Sequence, residues 1–145
     1  PYVQGAKVLD LFTGSGALTL EALSRGAASA LTLDLSSAAI SNLRSHLQTL
    51  RCEDCQLLLG DALKHLELQP ATPFDLIFLD PPFSQNLLQP SCTLLEEKCW
   101  LAERAWIYTE SENPPSSLGL PGNWRLHREL KAGQVNYALW QRSSA

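Results

Sequence analysis

Lys7-Val8-Leu9-Asp10-Leu11-Phe12-Thr13-Gly14-Ser15-Gly16 opens on six residues that read as a buried strand and closes on a turn punctuated by two glycines. Ala17 to Arg25 follows with strong helix formers, and Gly26 stops it. A short apolar strand, a glycine turn and a helix make the first unit of an α/β fold. The pattern then recurs. Ala30 to Asp34 predicts a second strand, with Ser36 or Ser37 capping a helix to about Leu50 on which Ile40, Leu43, Leu47 and Leu50 keep helical spacing. Gln56 to Leu59 predicts a third strand, Asp61 to Leu66 a helical turn, and Gln69 to Pro73 a loop. Phe74 to Leu79 predicts a fourth strand, apolar enough for the middle of a sheet.

Beyond Asp80-Pro81-Pro82-Phe83 the spacing predicts a helix over 86–100, in which Pro90 must sit in the first turn or break it. A fifth strand is expected over 105–110 and a proline-rich loop over 111–122. Trp124 to Leu130 and Val135 to Arg142 then read as two strands joined by Lys131-Ala132-Gly133-Gln134. Repeated strand-helix units imply a doubly wound, mostly parallel sheet. Ending it in an antiparallel hairpin is the Rossmann-like architecture of class I methyltransferases, in one domain over 1–145.

In such sheets ligands bind outside the carboxyl ends of the strands. Asp10-x-x-x-Gly14-x-Gly16 lies at the first of those ends, where glycines let backbone amides approach a ligand. Thr19 stands where a dinucleotide-binding G-x-G-x-x-G would place its third glycine, and Asp10 would repel a pyrophosphate. A carboxylate suits a cationic ligand, and S-adenosylmethionine carries an ammonium and a sulfonium but no phosphate. Asp34, at the second strand end, can accept hydrogen bonds from both ribose hydroxyls. Asp61, after the third, can accept from the adenine amine. Each acid alone is more often a helix cap than a ligand site. Three acids at three successive strand ends are much harder to explain as caps.

Asp80-Pro81-Pro82-Phe83 follows the fourth strand. An exocyclic base amine is a poor nucleophile because its lone pair is delocalised into the ring. Acceptors aimed at its N–H hydrogens stabilise the positive charge that develops on methyl transfer. Asp80 offers a carboxylate and Pro81 its carbonyl, both held by the restricted proline backbone. Phe83 offers a face for a stacked base, worth ~1–3 kcal/mol.

These motifs resemble the RsmD family of bacterial 16S ribosomal RNA guanine-N2 methyltransferases. The resemblance rests on Asp10 to Leu18, on Leu20-Glu21-Ala22-Leu23-Ser24-Arg25-Gly26-Ala27, on Phe74 to Phe83, and on Glu110-Ser111-Glu112. It continues through the tail, Asn123-Trp124 to Glu129 and Ala132 to Val135. It implies a cofactor site at Asp10, Gly14, Gly16, Asp34 and Asp61, together with Phe12 and Ala62. It also implies a catalytic loop at Asp80, Pro81, Pro82 and Phe83. The substrate it implies is 16S ribosomal RNA within a small-subunit ribonucleoprotein particle. The N2 of guanine rests on the resemblance alone, because Asp80-Pro81 accepts from guanine or adenine amines alike. An adenine-N6 methyltransferase, a protein glutamine methyltransferase, a dinucleotide oxidoreductase and a non-catalytic RNA-binding module are the alternatives.

Composition sets the rest. The chain has 145 residues and net charge −4, unusual for a protein that grips nucleic acid. Arg125, Arg128, Lys131 and Arg142 nevertheless crowd the tail beside one acid, Glu129, and the first three could meet RNA phosphates. Family members carry a basic N-terminal extension, so a segment ahead of Pro1 is expected. No apolar run reaches the ~20 residues of a membrane span, and no signal peptide is visible. A soluble, cytoplasmic monomer is expected. Cys52-x-x-Cys55, Cys92 and Cys99 lack the spacing of a zinc site, and His46, His65 and His127 are scattered, so no metal is expected.

Overall fold

The computed structural model describes residues 2–70, 72–82 and 86–143. Its elements are β1 (Lys7–Asp10), α1 (Ala17–Ser24), β2 (Ser29–Asp34), α2 (Ser37–Thr49), β3 (Cys55–Leu59) and α3 (Ala62–Leu66). They continue with β4 (Phe74–Leu79), α4 (Leu88–Glu97), β5 (Leu101–Ser111), β6 (Trp124–Ala132) and β7 (Val135–Arg142). The seven strands form one sheet in the order β3-β2-β1-β4-β5-β7-β6. The first five are parallel, and β7 runs antiparallel to both β5 and β6. Strand order reverses between β1 and β4, which makes the crevice above their carboxyl ends the topological switch point.

Each face of the sheet buries its own core. Val8, Ala30, Leu76 and Phe78 pack with Ala22, Leu18 and Leu23 of α1. Leu9, Ile77, Leu79 and Ile107 pack with Leu66 of α3 and with Leu88, Cys92 and Leu95 of α4. The fourth strand is buried on both faces, as a mid-sheet strand must be.

Local signals set the ends of the elements. Ser36 accepts from the Ala39 N–H at 3.2 Å and caps α2. Gly26, at φ 97°, closes α1 with paired bonds from Gly26 N to Leu23 O and from Ala27 N to Ala22 O, a Schellman arrangement. Pro90 is the third residue of α4, where its missing N–H costs nothing.

The first strand ends at Asp10 rather than Phe12, and three further sequence-based boundaries are corrected. The α4 helix covers Leu88–Glu97 rather than 86–100, because Asn86 and Cys99 both take positive φ and lie outside it. The fifth strand begins at Leu101 rather than 105, and its exposed Glu103-Arg104 stretch coincides with a register shift against β4. The hairpin strands run through Lys131 and Ala132, leaving a two-residue Gly133-Gln134 turn. Gly133 at φ 60° followed by a residue of ordinary φ is the type II′ pattern.

Tryptophans tie the hairpin and helices to the sheet. The indole N–H of Trp100 donates to Leu66 O at 3.0 Å, and that of Trp140 to Thr109 Oγ1 at 3.1 Å. Trp124 donates to Glu96 Oε2 at 3.0 Å, and Arg142 and Asn123 donate to the same carboxylate. Trp106 is met edge-on by His127 at 4.9 Å. No helix of the described residues is long and apolar enough to cross a membrane.

Candidate active site

The loop after β1 is shaped from behind by Asp10. This residue is 1% exposed, and its Oδ2 accepts from Thr19 Oγ1 at 2.7 Å. Its Oδ1 has no partner among the described residues, and neither does the buried Thr13 hydroxyl. Burial pushes the Asp10 carboxyl up to about 7; the Thr19 hydroxyl and the Phe12 backbone N–H oppose the rise, and the Asp80 and Asp34 carboxylates add to it. Thr19, noticed in the sequence only as a missing glycine, is the fully buried residue that holds Asp10.

The two glycines of the loop do different work. Gly14, at φ 56°, lines a cavity of about 610 Å³, and its N–H donates to Asp34 Oδ2 at 2.8 Å. Gly16 does not line that cavity. It sits at φ 82° at the start of α1, where an added Cβ would stand 2.7 Å from Leu43 Cδ1. The left-handed backbone, with Leu43 close by, favours glycine there.

The remaining strand-end acids meet at the cavity. Asp34 clamps two loops, its Oδ1 accepting from Ser36 N at 2.8 Å while its Oδ2 holds Gly14. Asp61 begins α3 yet makes no side-chain cap bond, and it lines the cavity beside Ala62. Phe12 and Thr13 line it from the first loop. Asp80, Pro81 and Pro82 close its far wall. Asp10 stands behind the loop, outside the lining. Phe83 lies outside the described residues.

Asp80 is half-buried, and its carboxyl is pushed up to about 6, first by burial and then by the Glu110 carboxylate. Glu110 also lines the cavity and accepts from the Tyr108 hydroxyl at 2.9 Å. Glu110 is not among the site residues expected from the sequence. The signal was present, since Glu110 is a further acid near a strand's carboxyl end, the rule that picked out Asp10, Asp34 and Asp61. The four cysteines are free thiols, and among the described residues no three histidine, cysteine or acidic side chains are grouped to hold a metal.

A family model described as Conserved hypothetical protein 95 matches residues 1–141. The chain is 44% identical over 144 residues to the Ribosomal RNA small subunit methyltransferase D of Escherichia coli (strain K12), covering 99% of this chain and 72% of that protein. Its structure superposes on a putative methyltransferase, yhhF, from Escherichia coli with a TM-score of 0.91 at 43% identity, covering 99% of this chain and 78% of that one. A putative methyltransferase complexed with SAH, SMU.776, shares the fold at a TM-score of 0.74 and 17% identity, over 96% of this chain and 46% of that one.

Proposed function

The chain belongs to the family described as Conserved hypothetical protein 95, the RsmD family, and from that premise we propose that it transfers a methyl group from S-adenosylmethionine to the exocyclic N2 of a guanine in 16S ribosomal RNA. One observation carries the reading: a single cavity runs from the glycine loop after β1 to Asp80-Pro81-Pro82 after β4. A cofactor seated on the loop therefore lies beside the acceptors that a base amine needs.

The residues fit this cofactor. An unpartnered, deeply buried Asp10 oxygen is costly, and a cationic cofactor on the loop in front of it would lower that cost through the field of its charge rather than by contact. The Thr13 hydroxyl, equally unpartnered and on the lining, is available to the same end of the ligand. Each Asp34 oxygen takes one backbone N–H and retains acceptor capacity for a ribose hydroxyl. Asp61, unused as a cap, accepts from the adenine amine, with Phe12 and Ala62 as apolar walls.

When bound, the cofactor supplies an electrophilic methyl group on a sulfonium. The chain's part is alignment and charge. Asp80 and the Pro81 carbonyl accept from the amine and stabilise positive charge on its nitrogen. The proton that nitrogen sheds passes to the Asp80 carboxylate. The prolines fix the acceptors before substrate arrives, so little reorganisation is left for the reaction itself. The substrate we assign is the small-subunit ribonucleoprotein particle, and the enzyme acts as a monomer.

The test uses the full-length protein, radiolabelled S-adenosylmethionine and small ribosomal subunits lacking the modification, with mass spectrometry of the digested RNA. Label appearing as N2-methylguanosine, and lost in Asp80→Ala, is the expected result. Label on adenine or on protein would overturn the assignment.

A further inference from the structure

We propose that Glu110 makes the site selective for guanine, by accepting a hydrogen bond from the ring N1–H beside the amine that Asp80 holds. The inference rests on the reading of Asp80 as the amine acceptor and adds what that reading lacks, a reason for one base over another.

The register places the two carboxylates together. Leu79 of β4 pairs with Thr109 of β5 in parallel, so Asp80 and Glu110 are the next residues along each chain, side by side. Adjacent strands lie ~4.8 Å apart, and partners at one level project from one face. Both acids line the 610 Å³ cavity. Glu110, with Pro81, Pro82 and Leu87, also lines an adjoining cavity of about 260 Å³ whose wall continues through Ser111 and Asn113. Glu110 thus stands where the two spaces meet, on the side of Asp80 away from the glycine loop.

The carboxylate is held in place. Tyr108 precedes Glu110 by two residues on the same face and donates to its Oε2 at 2.9 Å. The tyrosine ring is fixed edge-on against Phe78 at 6.0 Å. Burial, and then the bond to Glu110, push the tyrosine hydroxyl's pKa upward, so it stays a donor. A carboxylate has about four acceptor sites, and this bond occupies one.

The nucleobases differ at the atom such an acceptor would meet. Guanine has a ring N–H next to its exocyclic amine, so its edge presents two adjacent donors. Adenine and cytosine have a ring nitrogen lone pair there, so their edges present donor and acceptor. Two neighbouring carboxylates match the first pattern and oppose a lone pair in the second. A site built to bond a donor discriminates strongly against an analogue lacking it, because its own buried polar group is then unpaired.

The experiment compares full-length wild type, Glu110→Gln and Tyr108→Phe on reconstituted small-subunit particles. The target position carries either guanine or 2,6-diaminopurine, which keeps the 2-amine but has a lone pair at N1. Wild type should favour guanine in kcat/KM by roughly ten- to hundredfold. Glu110→Gln should narrow that ratio, because its amide can turn an N–H toward the lone pair. Tyr108→Phe should narrow it less, and thermal melting should show both variants folded. An unchanged ratio in a folded Glu110→Gln that still makes N2-methylguanosine would overturn this inference alone. Methylation of adenine by wild type would overturn it together with the assigned function.

Discussion

Glu96 and Asp80 are both half-buried carboxylates, and burial pushes both upward, yet they end on opposite sides of the ordinary value. Glu96 sits where α4 meets the hairpin and receives Arg142, Trp124 and Asn123. Those bonds outweigh burial and hold it below 4.5. Asp80 sits at the switch point with another carboxylate, Glu110, for a neighbour and rises to about 6. Asp10, deeper still, has one hydroxyl bond and an unpartnered oxygen. The hairpin junction completes its charge within the chain. The strand-end crevice leaves its charge incomplete, and incompletely paired carboxylates suit a cationic cofactor and an amine.

The sharpest way to break this comparison is to remove one acid from each region. Asp80→Asn should lower methyl transfer by about 10²–10³, the scale of losing one preorganised charge-stabilising group, with melting temperature held or raised. Glu96→Gln should do the reverse. It leaves Arg142 and the Trp124 indole short of a charged acceptor, costing about 1–3 kcal/mol of stability, and leaves kcat nearly intact. Transfer assays and denaturant melts on both variants decide the matter. Equal damage to activity and stability in both would erase the distinction between the regions.

Acidity separates the regions next. A carboxyl raised in the folded state contributes stability below its ordinary pKa and loses it as pH rises through the folded value. Asp10 therefore weakens the fold between about pH 4 and pH 7. Glu96, lowered, contributes above its ordinary 4.5 and loses that contribution as pH falls. Asp10→Asn should raise stability at pH 8 on the order of 1–3 kcal/mol, change it little near pH 4, and weaken cofactor binding. Denaturant melts at both pH values, with calorimetric titration of the cofactor, test this. Methyl transfer should also rise with pH through about 6, as Asp80 ionises. A flat profile between pH 5 and 7.5 would contradict its role as acceptor.

What the sequence could reveal divides along the same line. Phe74 to Leu79, an unbroken apolar run between a loop and a proline turn, was readable to its ends. The acids at strand ends were readable because a strand places its last residue at the crevice whatever the rest of the chain does. Contacts across the fold were not. Nothing local to Gly16 announces Leu43 of another helix, and nothing near Asp10 says that Thr19 donates to it rather than facing solvent. Residues 101–104 look unlike a strand because Glu103 and Arg104 face water, and of them only Leu101 pairs with β4, the rest lying in a register shift. Glu110 was visible as an acid, but its position beside Asp80 depends on a register that only the assembled sheet supplies.

The smallest expected effect concerns the cations of the hairpin's edge strand, which divide between its two faces: Arg125 and Arg128 stand opposite Gln141 and Leu139 on one, Lys131 opposite Asn136 on the other. Arg125, Arg128 and Lys131 are exposed on β6, the edge strand beyond β7. They are not equivalent. Lys131 pairs with Asn136, which in the neighbouring register is one strand across from Ser111, at the carboxyl edge where the cavity opens. Arg125 pairs with Gln141 toward the opposite edge. If the RNA backbone runs past the crevice, reversing Lys131 to Glu should weaken particle binding most, Arg128 less and Arg125 least. Each lost phosphate contact should reduce the slope of log affinity against log salt by ~0.7–0.9. Binding measured at several salt concentrations reads both quantities. Equal loss at all three positions would mean diffuse attraction to a basic strand, and no loss would place the RNA on another surface.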